Sequence, residues 1–345
     1  MKNTRVGVDL AKNVIQVCIV KGNKVIVNKE MTPEEFALWL ITTQPTIIIF
    51  EACGSSNYWK QKALEAGHDA RLISAKLVAT VRQNQKTDAN DALAIIQASQ
   101  LAQIKFINGK NFEQQELQSI MRMRELAVKN KKALRQQIQS LLLEFNIRIS
   151  SRSGGLNGVV QKVLEDAENG FEAPFRSALH TTWQAYLSAV SNIVEYDRCL
   201  NKAIQSHPNC KKLMQLEGVG EINAVNLYIQ LGCGEAGNFK TGSDAAACLG
   251  LTPMQHSSGG KTQLGHINKF IKNGSVRSYL VTGAMAVIRQ VIKREPKTTK
   301  ERWLKALVER RGAKCAAVAL ANKTIRTAFA MISKGTEYQA QPLTA

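Results

Sequence analysis

The 345-residue sequence predicts an α/β N-terminal domain, a middle region of long helices and a mainly α, strongly basic C-terminal domain. Three observations lead there. Short apolar runs separated by turn residues fill residues 4–50. Apolar residues recur every seven positions across 112–147, and positive charge gathers beyond residue 260. The expected divisions are 1–108, 109–206 and 207–335, with 336–345 a flexible tail.

Val6-Gly7-Val8-Asp9 and Val14–Val20 read as strands, and the turn Lys21-Gly22-Asn23-Lys24 leads into a third at Val25-Ile26-Val27, antiparallel to the second. Thr32-Pro33-Glu34-Glu35 opens a helix: Thr32 caps, Pro33 takes the first position and Glu35 completes a capping box. Thr46-Ile47-Ile48-Ile49-Phe50-Glu51 is an apolar run without alternation, expected of a strand covered on both faces. A helix over Trp59–Ala66, a strand at Ala70–Ile73 and a further helix follow. Three antiparallel strands and then alternating helices and strands is the ribonuclease-H-like order, with helices on the sheet faces.

In the helix of 112–147, Ile120, Ala127, Leu134 and Leu141 form one seven-residue register, with Leu117, Ile138 and Phe145 beside it. A second long helix, Ala173–Ile204, carries Leu179, Trp183, Tyr186, Val190, Ile193 and Leu200. Such seams predict a helical hairpin or an intermolecular coiled coil, joined here through Ser151-Arg152-Ser153-Gly154-Gly155. Further on, Leu216-Glu217-Gly218-Val219-Gly220 reads as a helix-hairpin-helix element. There Gly218 and Gly220 would let backbone N–H groups approach a phosphate, although a plain glycine-rich helix connection has the same composition. Helices near 275–294 and 299–333 complete the basic region.

The formal net charge is +19, and Lys261–Lys334 holds 17 basic residues against Glu295, Glu301 and Glu309, a local +14. A polyanion is the expected partner, because every phosphate contact releases counterions. No long apolar run or apolar leader stands out, so neither a membrane span nor a signal peptide is expected, and the location expected is cytoplasmic and nucleoid-associated. The seven cysteines form no C-x-x-C pair, which speaks against both a disulfide framework and a zinc site.

Asp9 and Glu51 each end an apolar strand, where a half-buried carboxylate is costly unless paired or bound to a cation. Asp88 and Asp91 lie one helical turn apart in Lys86-Thr87-Asp88-Ala89-Asn90-Asp91-Ala92 and would share a helix face. Alone, the latter two would pass for a helix cap and a surface charge. As a set, four carboxylates can hold one or two Mg²⁺, about 4 Å apart when two are bound.

Gly250-Leu251-Thr252-Pro253-Met254-Gln255-His256-Ser257-Ser258-Gly259-Gly260-Lys261 reads as a loop. A serine there, beside Lys261, Lys269, Lys272 and Arg277, can attack a phosphate while the cations stabilise the developing charge. A serine- and glycine-rich loop without chemistry has the same composition. His256 is either a general base or a polar loop residue.

These segments together, with Phe50-Glu51-Ala52 and Lys272-Asn273-Gly274-Ser275-Val276-Arg277, resemble the insertion-sequence family "one-ten", the Asp-Glu-Asp-Asp transposases related to the Piv pilin-gene invertases. The resemblance spans about residues 4–333. It implies a RuvC-like domain with Asp9, Glu51, Asp88 and Asp91 as Mg²⁺ ligands, joined through a coiled coil to a transposase domain. It puts the nucleophile, which forms a 5′-phosphoserine link to DNA, on Ser258, with Ser257 as the neighbouring competitor. It also implies dimers or tetramers whose composite site draws on two protomers, donor and target double-stranded DNA, and a noncoding bridge RNA. Two other functions use the same residues. One is a RuvC-like, Mg²⁺-dependent junction nuclease with no covalent intermediate, and the other a catalytically silent RNA- or DNA-binding protein.

Overall fold

The computed structural model describes residues 4–150, 154–232, 239–268, 271 and 274–343. They form two compact units, Met1–Glu113 and Gln114–Ala345.

The first unit is built on β1 (Thr4–Leu10), β2 (Ile15–Lys21), β3 (Lys24–Met31), β4 (Ile47–Glu51) and β5 (Asp69–Ile73), with α1 (Pro33–Thr42), α2 (Ser56–Glu65), α3 (Ala75–Val81) and α4 (Asp88–Ser99). The sheet order is β3-β2-β1-β4-β5. The β1–β2 and β2–β3 pairs are antiparallel, whereas β1–β4 and β4–β5 are parallel. Local chemistry sets several of these elements. The turn at Gly22-Asn23 closes Lys21 against Lys24. Thr32 and Glu35 satisfy each other's backbone N–H groups at the start of α1, as expected of the capping box.

The central strands are covered on both sides. Val6, Val8, Ile48 and Phe50 face Phe36 and Leu40 of α1 and Trp59 and Ala63 of α2. On the opposite face Ile49 and Ile73 pack on Val78, Ala94, Ile95 and Ala98 of α3 and α4, and Cys18 and Val20 pack on Ala92 and Ile96. Since side chains alternate along a strand, Gly7 and Asp9 on β1 and Glu51 on β4 all belong to the α4 face.

The second unit comprises α5 (Phe112–Glu144), α6 (Gly155–Glu165), α7 (Ala173–Ser206), α8 (Pro208–Leu213), α9 (Glu221–Gln230), α10 (Gly242–Cys248), β6 (Pro253–Ser258), β7 (Lys261–Ile267), α11 (Gly274–Val291) and α12 (Thr299–Lys334), the last kinked at Gly312. The long helices α5 and α7 run antiparallel. Leu117 and Met121 share a cluster with Leu200 and Ile204, Arg124 pairs with Asp197, and Ile138 and Leu142 meet Leu179 and Trp183. This is a hairpin within one chain, and its ends pack into the same unit as the C-terminal elements. Leu141 of the expected seam stays exposed, while Leu142 beside it is buried.

By length and composition α12 alone among the described helices could cross a membrane, but Leu320, Ile325, Ala328 and Met331 on it are buried in the protein's own core. Ser151, Arg152 and Ser153 of the expected link lie outside the described residues.

Candidate active site

Asp9 and Glu51 stand side by side. They follow the registered pair Val8–Phe50 on parallel neighbours, so their backbones are about 4.8 Å apart. Gly7 then fixes what lies above them. A Cβ on Gly7 would meet the Ala92 carbonyl oxygen at 2.2 Å, so α4 rests directly on the β1 backbone. That contact brings Asp91, the residue before Ala92, over the strand that carries Asp9.

Thr87 caps α4 through the Asn90 N–H, which leaves Asp88 exposed in the first turn and Asp91 buried at 5 % exposure. Burial pushes the Asp9 carboxyl above the usual aspartate range, and the charges of Asp91 and Asp88 add to this against the pull of Lys86. Glu51 is raised likewise, by burial first and then by Asp9 and Asp91, with Lys86 and Arg82 opposing. The four carboxylates therefore share one electrostatic neighbourhood.

They do not form a closed ligand set. Among the described residues no three His, Cys, Asp or Glu side chains gather closely enough to hold a metal ion. The oxygens of Asp91 are taken by cations of the chain itself: Arg82 Nη1 donates to Oδ1 at 2.7 Å and Lys86 Nζ to Oδ2 at 3.2 Å. Sequence reasoning missed Arg82, which reaches Asp91 from the segment between α3 and α4.

It also missed Gln16 and Asn28. Gln16 is paired with Asp9 across β1 and β2, is 5 % exposed, and donates to Asn28 Oδ1 at 2.7 Å. Asn28 Nδ2 in turn donates to the Ala89 carbonyl at 3.0 Å, tying the sheet to the first turn of α4. A glutamine inside the apolar run Ile15-Gln16-Val17-Cys18 is the signal that points to it.

The serine segment is not a loop. β6 and β7 form a hairpin in which Ser258 pairs with Lys261 and His256 with Gln263. Gly259 and Gly260 make the connection with φ of 56° and 75°, the mirror-image turn that matches strand twist. Strand alternation places Ser258, His256 and Lys261 on one face and Ser257 on the other. Nearly the whole hairpin is exposed, Leu264 to 71 %, and an isolated hairpin is marginal in water.

The other expected phosphate contacts divide. Arg277 is half-buried: its guanidinium donates to the carbonyls of Gly250 and Asn268 and so braces both ends of the hairpin. Gly218, with φ of 77°, presses on the backbone of Gly283 in α11, so its close approach is to protein. Gly220 is exposed at the start of α9. Glu217 between the helices accepts from Lys300 at 2.6 Å and from Tyr338. Burial alone would raise its pKa, but these bonds hold it below the usual glutamate range. Lys269 and Lys272 lie outside the described residues.

Two family models match this chain. Residues 6–147 match an IS110-type family model described as a transposase, and residues 210–301 match that of the transposase IS116/IS110/IS902 family. The chain is 31 % identical to the transposase for insertion sequence element IS1111A of Coxiella burnetii, over 98 % of this chain and 92 % of that protein. It is 32 % identical to a probable family 20 transposase of Pseudomonas aeruginosa, over 98 % and 99 %. A pilin gene-inverting protein of Moraxella bovis is 20 % identical over 75 % of each chain. The chain belongs to the IS116/IS110/IS902 family and is a transposase, an enzyme that recombines DNA.

Proposed function

We propose that this transposase cuts and rejoins DNA through a serine–phosphate intermediate at Ser258, assisted by a divalent ion, Mg²⁺ in the cell, held by Asp9, Glu51, Asp88 and Asp91. The observation that carries this is the surplus of negative charge near the ends of β1 and β4, since Asp9 and Glu51 are held half-buried beside other carboxylates at a loss of stability. Hard carboxylate oxygens with excess charge suit a hard divalent cation, with Arg82 and Lys86 standing in at Asp91 until it binds. The sheet order, three antiparallel strands followed by two parallel ones, supports a ribonuclease-H-like, RuvC-like domain.

The bound ion supplies Lewis-acid polarisation of the scissile phosphate. The chain's own groups do the rest. Ser258 Oγ attacks phosphorus, the bond from phosphorus to the 3′ oxygen breaks, and a 5′-phosphoserine link and a free 3′-hydroxyl result. Attack by a 3′-hydroxyl of another strand reverses the step and regenerates the serine, so phosphodiester bonds are conserved. Lys261 faces the same side as Ser258 and offsets charge on the phosphate. His256 lies two residues away on the same face, about 7 Å along the strand, and either its ring or water takes the serine proton.

The exposed hairpin supports engagement of Ser258 with a partner's carboxylates in a dimer or tetramer, joined through the exposed positions of α5 and α7. The family resemblance adds donor and target duplex DNA and a guiding noncoding RNA. The test compares cleavage and covalent adduct formation in wild type, Asp9→Asn and Ser258→Ala. Loss of cleavage in Asp9→Asn and of adducts in Ser258→Ala, with nucleic-acid binding retained, is expected. Cleavage in Ser258→Ala at the wild-type rate would leave a water-using junction nuclease instead. Cleavage that persists at the wild-type rate in excess EDTA would remove the metal role.

A further inference from the structure

Beyond the serine hairpin, the second unit carries a cleft of about 1230 Å³ between the C-terminal part of α12 and the base of β6–β7. Lys240, Lys314, Lys323, Arg326 and Lys334 line it, and no acidic residue does. All five are exposed, and none is ion-paired among the described residues. Elsewhere in the same unit cations find acids: Arg124 with Asp197, Arg294 with Glu301, Lys300 with Glu217. A row of like charges left bare around one cleft is self-repelling and calls for a polyanion.

The walls narrow the choice further. Between the cations lie the partly exposed Trp303, Val318 and Phe329, an apolar and aromatic surface. A duplex presents phosphates and sugars outward and has little use for such a surface, whereas unpaired bases stack on it. The Lys323 ammonium sits 4.4 Å from the Trp303 ring centroid, so a cation and a stacking ring occupy one spot. From Lys314 to Lys334 the helix rises about 30 Å, room for a run of several nucleotides. Pro253 and Ile267, paired at the base of the hairpin, form part of the lining, so a strand in the cleft lies at the foot of the element whose tip carries Ser258.

We propose that this cleft binds a single strand of nucleic acid, its phosphates on the α12 cations and its bases against the apolar wall. The proposal rests on the transposase reading for the presence of DNA and RNA, but not on the chemistry at Ser258.

The test measures binding of the full chain, with chelator present so that nothing is cut, to oligothymidylate, oligouridylate and a duplex, each of about 20 nucleotides or base pairs. The variant is Lys314→Gln/Arg326→Gln/Lys334→Gln. The control removes equal charge outside the cleft, at the exposed Lys21→Gln/Lys24→Gln/Lys76→Gln of the first unit. The cleft variant is expected to lose at least tenfold in single-strand affinity. The slope of log affinity against log salt should fall by about 2, at about 0.7 per lost contact. Duplex affinity and the control stay within about threefold. Lys334→Gln alone should lower the slope by about 0.7, which guards against a fold defect in the triple variant. Loss with oligouridylate alone assigns the cleft to RNA, and equal loss with both strands assigns it to either. Equal loss in the control, equal loss on the duplex, or no loss at all overturns the proposal. Adduct formation that persists while single-strand binding never depended on the cleft sinks only this inference. Cleft binding without any adduct sinks only the Ser258 chemistry.

Discussion

A methyl group on Gly7 would stand 2.2 Å from the Ala92 carbonyl oxygen, so β1 and α4 approach one another as closely as only glycine allows. This contact sets the height of Asp91 above Asp9 and hence the geometry of the carboxylate cluster. Gly7→Ala is expected to push α4 outward. The loss should be about 1–3 kcal/mol from overpacking, together with loss of DNA cleavage. Circular-dichroism melts and a cleavage assay check both, and a variant that melts and cuts like wild type would contradict the role given to this contact.

Asp9→Asn removes a charge that the fold holds at a disadvantage. Without metal the variant should melt a few degrees above wild type, as a gain of about 1 kcal/mol would give, while losing cleavage. The stabilisation that millimolar Mg²⁺ or Mn²⁺ gives wild type should vanish. Thermal melts with and without metal read this directly, and an unchanged metal shift in the variant removes Asp9 from the ligand set.

Arg82 neutralises the nearly buried Asp91 through a 2.7 Å bond, whereas Lys86, its side chain 73 % exposed, contributes little. Arg82→Gln should therefore lower stability without metal by about 1.5–3 kcal/mol. Added divalent ion should restore most of that loss, because it takes over the charge that Arg82 released. Failure of metal to restore the variant would mean that Arg82 is a structural partner only.

In the second unit the pH dependence follows Glu217. Its pKa is held below the ordinary 4.5, because the bonds from Lys300 and Tyr338 outweigh burial. A lowered acid pKa contributes stability above the unfolded value and loses it as pH falls through the folded one. Glu217→Gln should thus be less stable than wild type by about 1–3 kcal/mol at pH 7. That gap should narrow below pH 4.5. Denaturant titrations at several pH values check it, and a gap independent of pH would contradict it.

The parts legible in the sequence were those fixed by neighbours along the chain. The Lys21–Lys24 turn, the Thr32–Glu35 capping box and the carboxylates at the strand ends all follow from residues within one turn or one strand. The serine segment misled because Gln255-His256-Ser257-Ser258 is polar throughout and offers no apolar alternation. The paired glycines, two residues between runs of similar length, are the hairpin signal. Composition suggests phosphate contacts for Arg277 and Gly218, and what it does not show is their long-range packing against the Asn268 carbonyl and the Gly283 backbone. Arg82 was invisible for the same reason, since nothing local links it to Asp91.

The most direct test of the proposed chemistry is to map the covalent protein–DNA link. Wild-type enzyme is reacted with donor DNA and divalent metal, digested with nuclease and protease, and the peptide spanning Pro253–Ile267 is sequenced by mass spectrometry. A nucleotide 5′-phosphate on Ser258 is the predicted result, absent in Ser258→Ala and retained in Ser257→Ala. Efficient strand cleavage with no nucleotide on this peptide, or with the nucleotide on Ser257, would contradict it.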